Sequence, residues 1–157
     1  MGCGSELPPE RYDWRRMQLV RVITNFLRLP ADRRSLIIEA TASLALASAA
    51  LALLPFRRAI RLGSVSLGKE SAGNAERVVS AVETVSRRLP WRNVCIHKGI
   101  AAQRMLRRRG FDAVLHYGIS NDREGGRLAA HVWVSLDGSP VIGGEEASAY
   151  TPVGAFP

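Results

Sequence analysis

Cys95 and the three histidines are the residues of this chain best suited to nucleophilic chemistry. Cys95 lies in the segment WRNVCIHKGIAAQRMLRRRG, residues 91–110. With Asn93 as N-cap, Cys95 is the second residue of a helix. Unpaired amides give a helix N-terminus partial positive charge, which stabilises a thiolate. The same amides can donate to the oxyanion formed when a thiolate attacks a carbonyl. Cys95 shares its helical stripe with Gly99, Ala102 and Leu106, whose small members let another element approach closely. The plainer reading of the same residue is a packing cysteine at a helix start.

A thiol enzyme needs a base. His97 is two residues from Cys95 on the same helix and faces away from it. His116 falls in an alternating stretch, on the face of Asp112, Val114 and Gly118. His131 falls in a second such stretch, AAHVWV, with Trp133 on its face. A strand is a rigid support for an imidazole, so His131 is the stronger candidate base, although a histidine satisfied within a strand is the alternative. Cys95 and His97 have no second ligand pair at zinc-like spacing, so no metal site is expected. Gly125-Gly126 lacks a following G-K-[ST], so neither a nucleotide site nor any other cofactor is expected.

The elements that must position these groups follow from periodicity. Met1 to Tyr12 reads as a lead-in, and Asp13 to about Leu29 as a helix ended by Pro30. A second helix spans about Asp32 to Leu54. Its uncharged part, Ala40–Leu54, is 15 residues long, against roughly 20 for a bilayer core. A packed helix is therefore favoured over a membrane-associated segment at 36–54. Gly63–Gly73 reads as a linker, and Asn74 to about Leu89 as a helix with Val78, Val82, Val85 and Leu89 on one stripe. Gly110 suits a helix C-cap. The period then becomes two, giving strands in FDAVLHYGIS and LAAHVWVSL, and Asp137-Gly138 turns the chain into a return strand SPVIGG. The expectation is an α+β chain with a helical segment at 1–62, a linker at 63–73 and a core at 74–157, its cysteine helix packed on a small antiparallel sheet.

Composition narrows the class. The 157 residues suit one domain with an appended helical segment. Two cysteines make a disulfide framework improbable and fit a reducing cytoplasm. The net charge of +8 favours acidic partners, whereas 6% aromatics argue against a stacking platform for single strands. No nucleic-acid partner is expected. The arginine pairs and the triplet Arg107-Arg108-Arg109 read most simply as solvated helix faces.

Taken as a set, a Trp, a Cys opening a helix, AAQRMLRRRG, a strand, HVWVSLDG and VIGG resemble the leader peptidases of lasso-peptide biosynthesis. These are transglutaminase-like cysteine proteases with a papain-type plan. The resemblance covers Asn74 to Gly144, and RRSLIIEA and LLPFRRAIRLG are similar to the helical portion of such proteins. It implies a bacterial enzyme that removes the leader from a ribosomally made precursor, with Cys95 as nucleophile and His131 as general base and acid. It also implies two partners, a separate leader-binding protein and a macrolactam-forming cyclase.

The family's third member is an Asp that steadies the histidine. Here the return strand ends in Gly143-Gly144. Pairing Leu136 with Ser139 puts His131 opposite Gly144, and leaves Asp137 six residues away, roughly 20 Å along the strand. Glu145 and Glu146 are closer, and a backbone carbonyl or water could also serve. The oxyanion hole would be the Cys95 amide with an upstream group such as Asn93. Two other functions stay open: acyl transfer to an amine on the same fold, and a non-catalytic basic binding module.

Overall fold

The computed structural model describes residues 21, 24–65, 73–91, 94–121 and 128–157. The chain divides into two units, Met1–Arg34 and Ser35–Pro157. In the first, residues 24–27 are helical and the Arg28 amide donates to the Thr24 carbonyl at 3.1 Å. The rest of the expected first helix, from Asp13, lies almost wholly outside the described residues.

Helix α1 (Ala31–Leu53) carries the chain into the second unit, followed by the short α2 (Phe56–Ile60) after Pro55. Helix α3 (Ala75–Ser86) starts where its sequence says it should: the Asn74 side chain accepts from the Arg77 amide at 3.2 Å. Its Val78, Val82 and Val85 are buried. Helix α4 (Cys95–Arg107) follows. Gly110 takes φ +83°, and the Phe111 amide donates back to the Leu106 carbonyl at 3.2 Å, the bond of a left-handed glycine stop.

Four antiparallel strands complete the unit: β1 (Ala113–Asn121), β2 (Leu128–Leu136), β3 (Ser139–Ile142) and β4 (Thr151–Phe156), in spatial order β3-β2-β1-β4. Strand β4 was not expected, because TPVGAF is short and carries both Pro and Gly. It pairs with β1, with Leu115 opposite Phe156. The β2–β3 turn has Asp137 at φ +48° and Gly138 at φ +79°, as a two-residue hairpin requires. Leu136 pairs with Ser139 as expected. The register then slips: Ser135 pairs with Pro140, but Val134 pairs with Ile142. Pro140 has no amide to donate, and prolines within sheets collect at edges and bulges. The slip corrects the expectation that His131 faces Gly144.

The core joins both ends of this unit. Ala40, Leu44 and Ala47 of α1 and Ile60 of α2 are buried with Val78, Val82, Ile100, Leu106, Leu115 and Val134. Polar ties cross the 63–73 stretch as well. Arg109 grips the Glu39 carboxylate with both terminal guanidinium nitrogens, Nη1 and Nη2. Arg104 donates to the Leu62 carbonyl at 3.2 Å and Arg107 to the Val65 carbonyl at 2.8 Å. Residues on both sides of 63–73 are thus buried together in one core. Reading the triplet Arg107-Arg108-Arg109 as a solvated face also needs correcting, since Arg107 and Arg109, together with Arg104, fasten this region to what precedes it.

Gln103 is wholly buried in α4. Its Nε2 donates to the carbonyls of Ala113 (3.2 Å) and Phe156 (2.6 Å), at the start of β1 and the end of β4. Its Oε1 faces Gly63, where a Cβ would come to 2.1 Å.

Candidate active site

Helix α4 begins one residue later than expected. Val94 is its N-cap, in extended conformation at φ −99°, ψ 174°, so Cys95 is the first helical residue. Valine has no side-chain acceptor. The stabilising contact at this end runs the other way: the Val94 amide donates to Nδ1 of His97 at 3.2 Å. His97 thus serves its own helix start, and burial holds its pKa below the ordinary histidine value. Asn93, the expected cap and oxyanion-hole group, lies outside the described residues.

The small-residue stripe works as its composition suggests. A Cβ on Gly99 would meet Val132 Cγ1 at 2.8 Å and Leu115 Cδ1 at 3.3 Å, so α4 rests directly on β1 and β2. Gln103 touches the start of β1 and Gly99 reaches Leu115, which means α4 runs antiparallel to β1. One turn further, Cys95 lies toward Tyr117, because four helical residues and two strand residues each advance about 6 Å. Cys95 is half-buried and packs against the core.

His131 belongs to the other layer of the site. Val132 faces α4, so His131, Trp133 and Ser135 issue from the opposite face of β2. There His131 lies between two aromatic rings, Trp133 at 6.2 Å and Tyr150 at 5.0 Å between centroids. Gly118, its partner in β1, makes the space: a Cβ there would strike Trp133 Cζ3 at 2.8 Å and Tyr150 Cβ at 3.0 Å. His116 continues the stack on Trp133 at 5.3 Å and shares a 2.7 Å hydrogen bond with Ser135 Oγ. Burial depresses the His116 pKa.

The His131 ring is fixed by a backbone group. Its Nε2 lies 2.7 Å from the Gly143 carbonyl oxygen. A carbonyl only accepts, so Nε2 carries the proton and Nδ1 is left with its lone pair. Nδ1 faces Glu146 Oε2 at 3.9 Å, and that carboxylate is 70% exposed. Gly143 has φ +69°, and a Cβ on it would come within 2.8 Å of the Val132 carbonyl and 3.2 Å of His131 Nε2. Of the carboxylates expected as orienters, Glu146 is the one beside the ring, while the hydrogen bond itself goes to the backbone carbonyl. Glu145 is exposed beside it, and Asp137 sits in the hairpin turn at the far end of β2.

The structure therefore gathers His131, Gly143, Glu146, Trp133 and Tyr150. It does not join Cys95 to His131. Among the described residues no hydrogen bond links them, and they are held by opposite faces at the same end of the sheet. β3 stops at Ile142, opposite Val134, so β2 has no β3 partner at His131. A backbone carbonyl was among the expected orienters, but its identity as that of Gly143, and the part played by Tyr150, were not read from the sequence. A backbone acceptor leaves no side-chain signature, although a VIGG end to a strand hints at a left-handed residue.

A family model described as the transglutaminase-like superfamily matches residues 38–155. The chain belongs to the transglutaminase-like superfamily. This superfamily is typically catalytic and includes cysteine peptidases and acyltransferases. The transglutaminase-like match starts inside α1 and crosses 63–73, in accord with the extent of the core. No curated protein and no solved structure matches the chain.

Proposed function

We propose that this transglutaminase-like chain is a cysteine peptidase that removes the leader from a lasso-peptide precursor. The observation that carries the reading is Cys95 opening the helix packed on the sheet, in a chain of this superfamily. The Cys95 sulfur attacks the carbonyl carbon of the scissile peptide bond. His131 Nδ1 takes the thiol proton and returns it to the leaving amine. The Cys95 amide, at the positive end of α4, donates to the oxyanion. Water then attacks the thioester, yields its proton to Nδ1 and releases the acid and the free thiol. Gly143 holds the ring in the tautomer that leaves Nδ1 able to accept, and the Glu146 carboxylate borders that nitrogen at 3.9 Å.

The mechanism requires Cys95 and His131 to meet past the edge of β2 that β3 leaves uncovered. Catalytic contacts often tighten only once substrate is bound. The proposed setting is a bacterial cytoplasm, where a separate leader-binding protein delivers the precursor and a cyclase consumes the product.

Incubating the chain with precursor and the leader-binding protein, followed by mass spectrometry, tests the activity. Free leader is expected, with none from Cys95→Ala or His131→Ala at unchanged far-UV circular dichroism. A precursor joined to an added amine would show acyl transfer instead. Alkylation of Cys95 across pH tests the pair: its profile should move in His131→Ala. An identical profile with precursor present would refute the pairing.

A further inference from the structure

The outward side of α1 has no role in the peptidase reading. Ala40, Leu44, Ala47 and Ala50 face the core, while Ala42, Ala45, Leu46, Ala49, Ala52 and Leu53 are turned outward. Leu53 is 81% exposed, and the apolar surface continues through Leu54 and Phe56, itself 46% exposed. Arg57, Arg58 and Arg61 follow directly, all exposed. Among the described residues no carboxylate pairs with them.

Helix α1 is long and apolar enough to cross a membrane by length and composition alone. Crossing would withdraw Ala40, Leu44 and Ala47 from the core and break the grip of Arg109 on Glu39. The folded unit therefore cannot spend α1 on a span. An apolar ridge ending in unpaired arginines fits a different placement, with leucine and phenylalanine in the acyl boundary and guanidinium groups among anionic headgroups.

We propose that the end of α1 and α2 form a docking surface for anionic lipid bilayers. Leu53, Leu54 and Phe56 insert shallowly, and Arg57, Arg58 and Arg61 bind headgroup phosphates. A membrane is favoured over a protein partner because the three exposed arginines carry one sign of charge and follow the exposed apolar residues directly in the chain. Phe56 also packs edge-on against Tyr117 at 5.8 Å, next to the β1 residue opposite His131. Docking there would place one flank of the sheet near the lipid surface. The proposal is independent of the peptidase assignment.

Co-sedimentation of the full chain with vesicles provides the test, comparing pure phosphatidylcholine with a 3:1 mixture of phosphatidylcholine and phosphatidylglycerol. Binding is expected to the mixed vesicles and to weaken with salt. Each arginine near an anionic surface strengthens adsorption about fivefold, so Arg57→Gln with Arg58→Gln should cost about 25-fold. Leu53→Glu changes a side chain outside the core and should abolish binding with the circular dichroism spectrum unchanged. Absence of binding to mixed vesicles, or undiminished binding by both variants, would overturn the proposal. So would a concentration-dependent dimer in sedimentation velocity that Leu53→Glu dissolves, since the ridge would then be a protein interface.

Discussion

Replacing Gly143 by alanine separates two physical effects because the chain contains its own control. Gly138 has φ +79° and Gly143 φ +69°, so an alanine at either position pays for left-handed backbone, about 1–2 kcal/mol. At Gly138 the new Cβ meets nothing within 4 Å, and the cost should stop there. At Gly143 the Cβ would lie 2.8 Å from the Val132 carbonyl oxygen, where a paired strand backbone gives little. Such overpacking typically adds about 1–3 kcal/mol. Gly143→Ala should therefore destabilise by about 2–5 kcal/mol, at least 1 kcal/mol more than Gly138→Ala, read from urea midpoints at constant slope. The relief of the clash also turns the Gly143 carbonyl away from His131 Nε2. Displacements of about 1 Å near a catalytic group cost roughly 100-fold in rate, so leader release should fall by at least tenfold in Gly143→Ala. In Gly138→Ala it should hold near wild type under conditions where both proteins are folded. Equal destabilisation by the two variants would refute the close contact. Full activity in Gly143→Ala would refute the carbonyl as the group that orients His131.

Three further outcomes follow from the same geometry. Gln103→Leu strips the Phe156 carbonyl of its side-chain donor, at about 1–3 kcal/mol, and leaves the Ala113 carbonyl the Arg107 guanidinium at 3.4 Å, while removing one buried oxygen of similar cost; a net loss within about 1 kcal/mol should appear in urea unfolding. Burial depresses the pKa of His116 and of His97, so the unfolded chain binds more protons near pH 6.5. Stability is then complete above that pH and falls as the pH drops through it; His116→Gln should make the fall between pH 7.5 and 5.5 shallower in thermal melts. Glu146→Gln should change stability by less than about 1 kcal/mol, because its carboxylate is exposed. It should still reduce leader release severalfold, whereas Asp137→Asn should leave release unchanged.

The sequence by itself determined the local elements of this protein. Asn74 caps α3, Gly110 stops α4, and Asp137-Gly138 makes the hairpin, because each depends on a few neighbouring dihedrals and one or two hydrogen bonds. The α+β class and the contact of Gly99 with the sheet were equally legible, since periodicity and side-chain size fix which faces can approach. Tertiary structure decided what depends on partners far along the chain. The slip at Pro140 moved the group opposite His131, and one extra residue in an edge strand redirects everything after it. Arg109 found Glu39, and Gln103 found Phe156, across separations that no local pattern records. The layer assignment of Cys95 and His131 was decided in the same way. Alternation told which residues share His131's face, but only the packing of α4 against Val132 told which face that helix would cover.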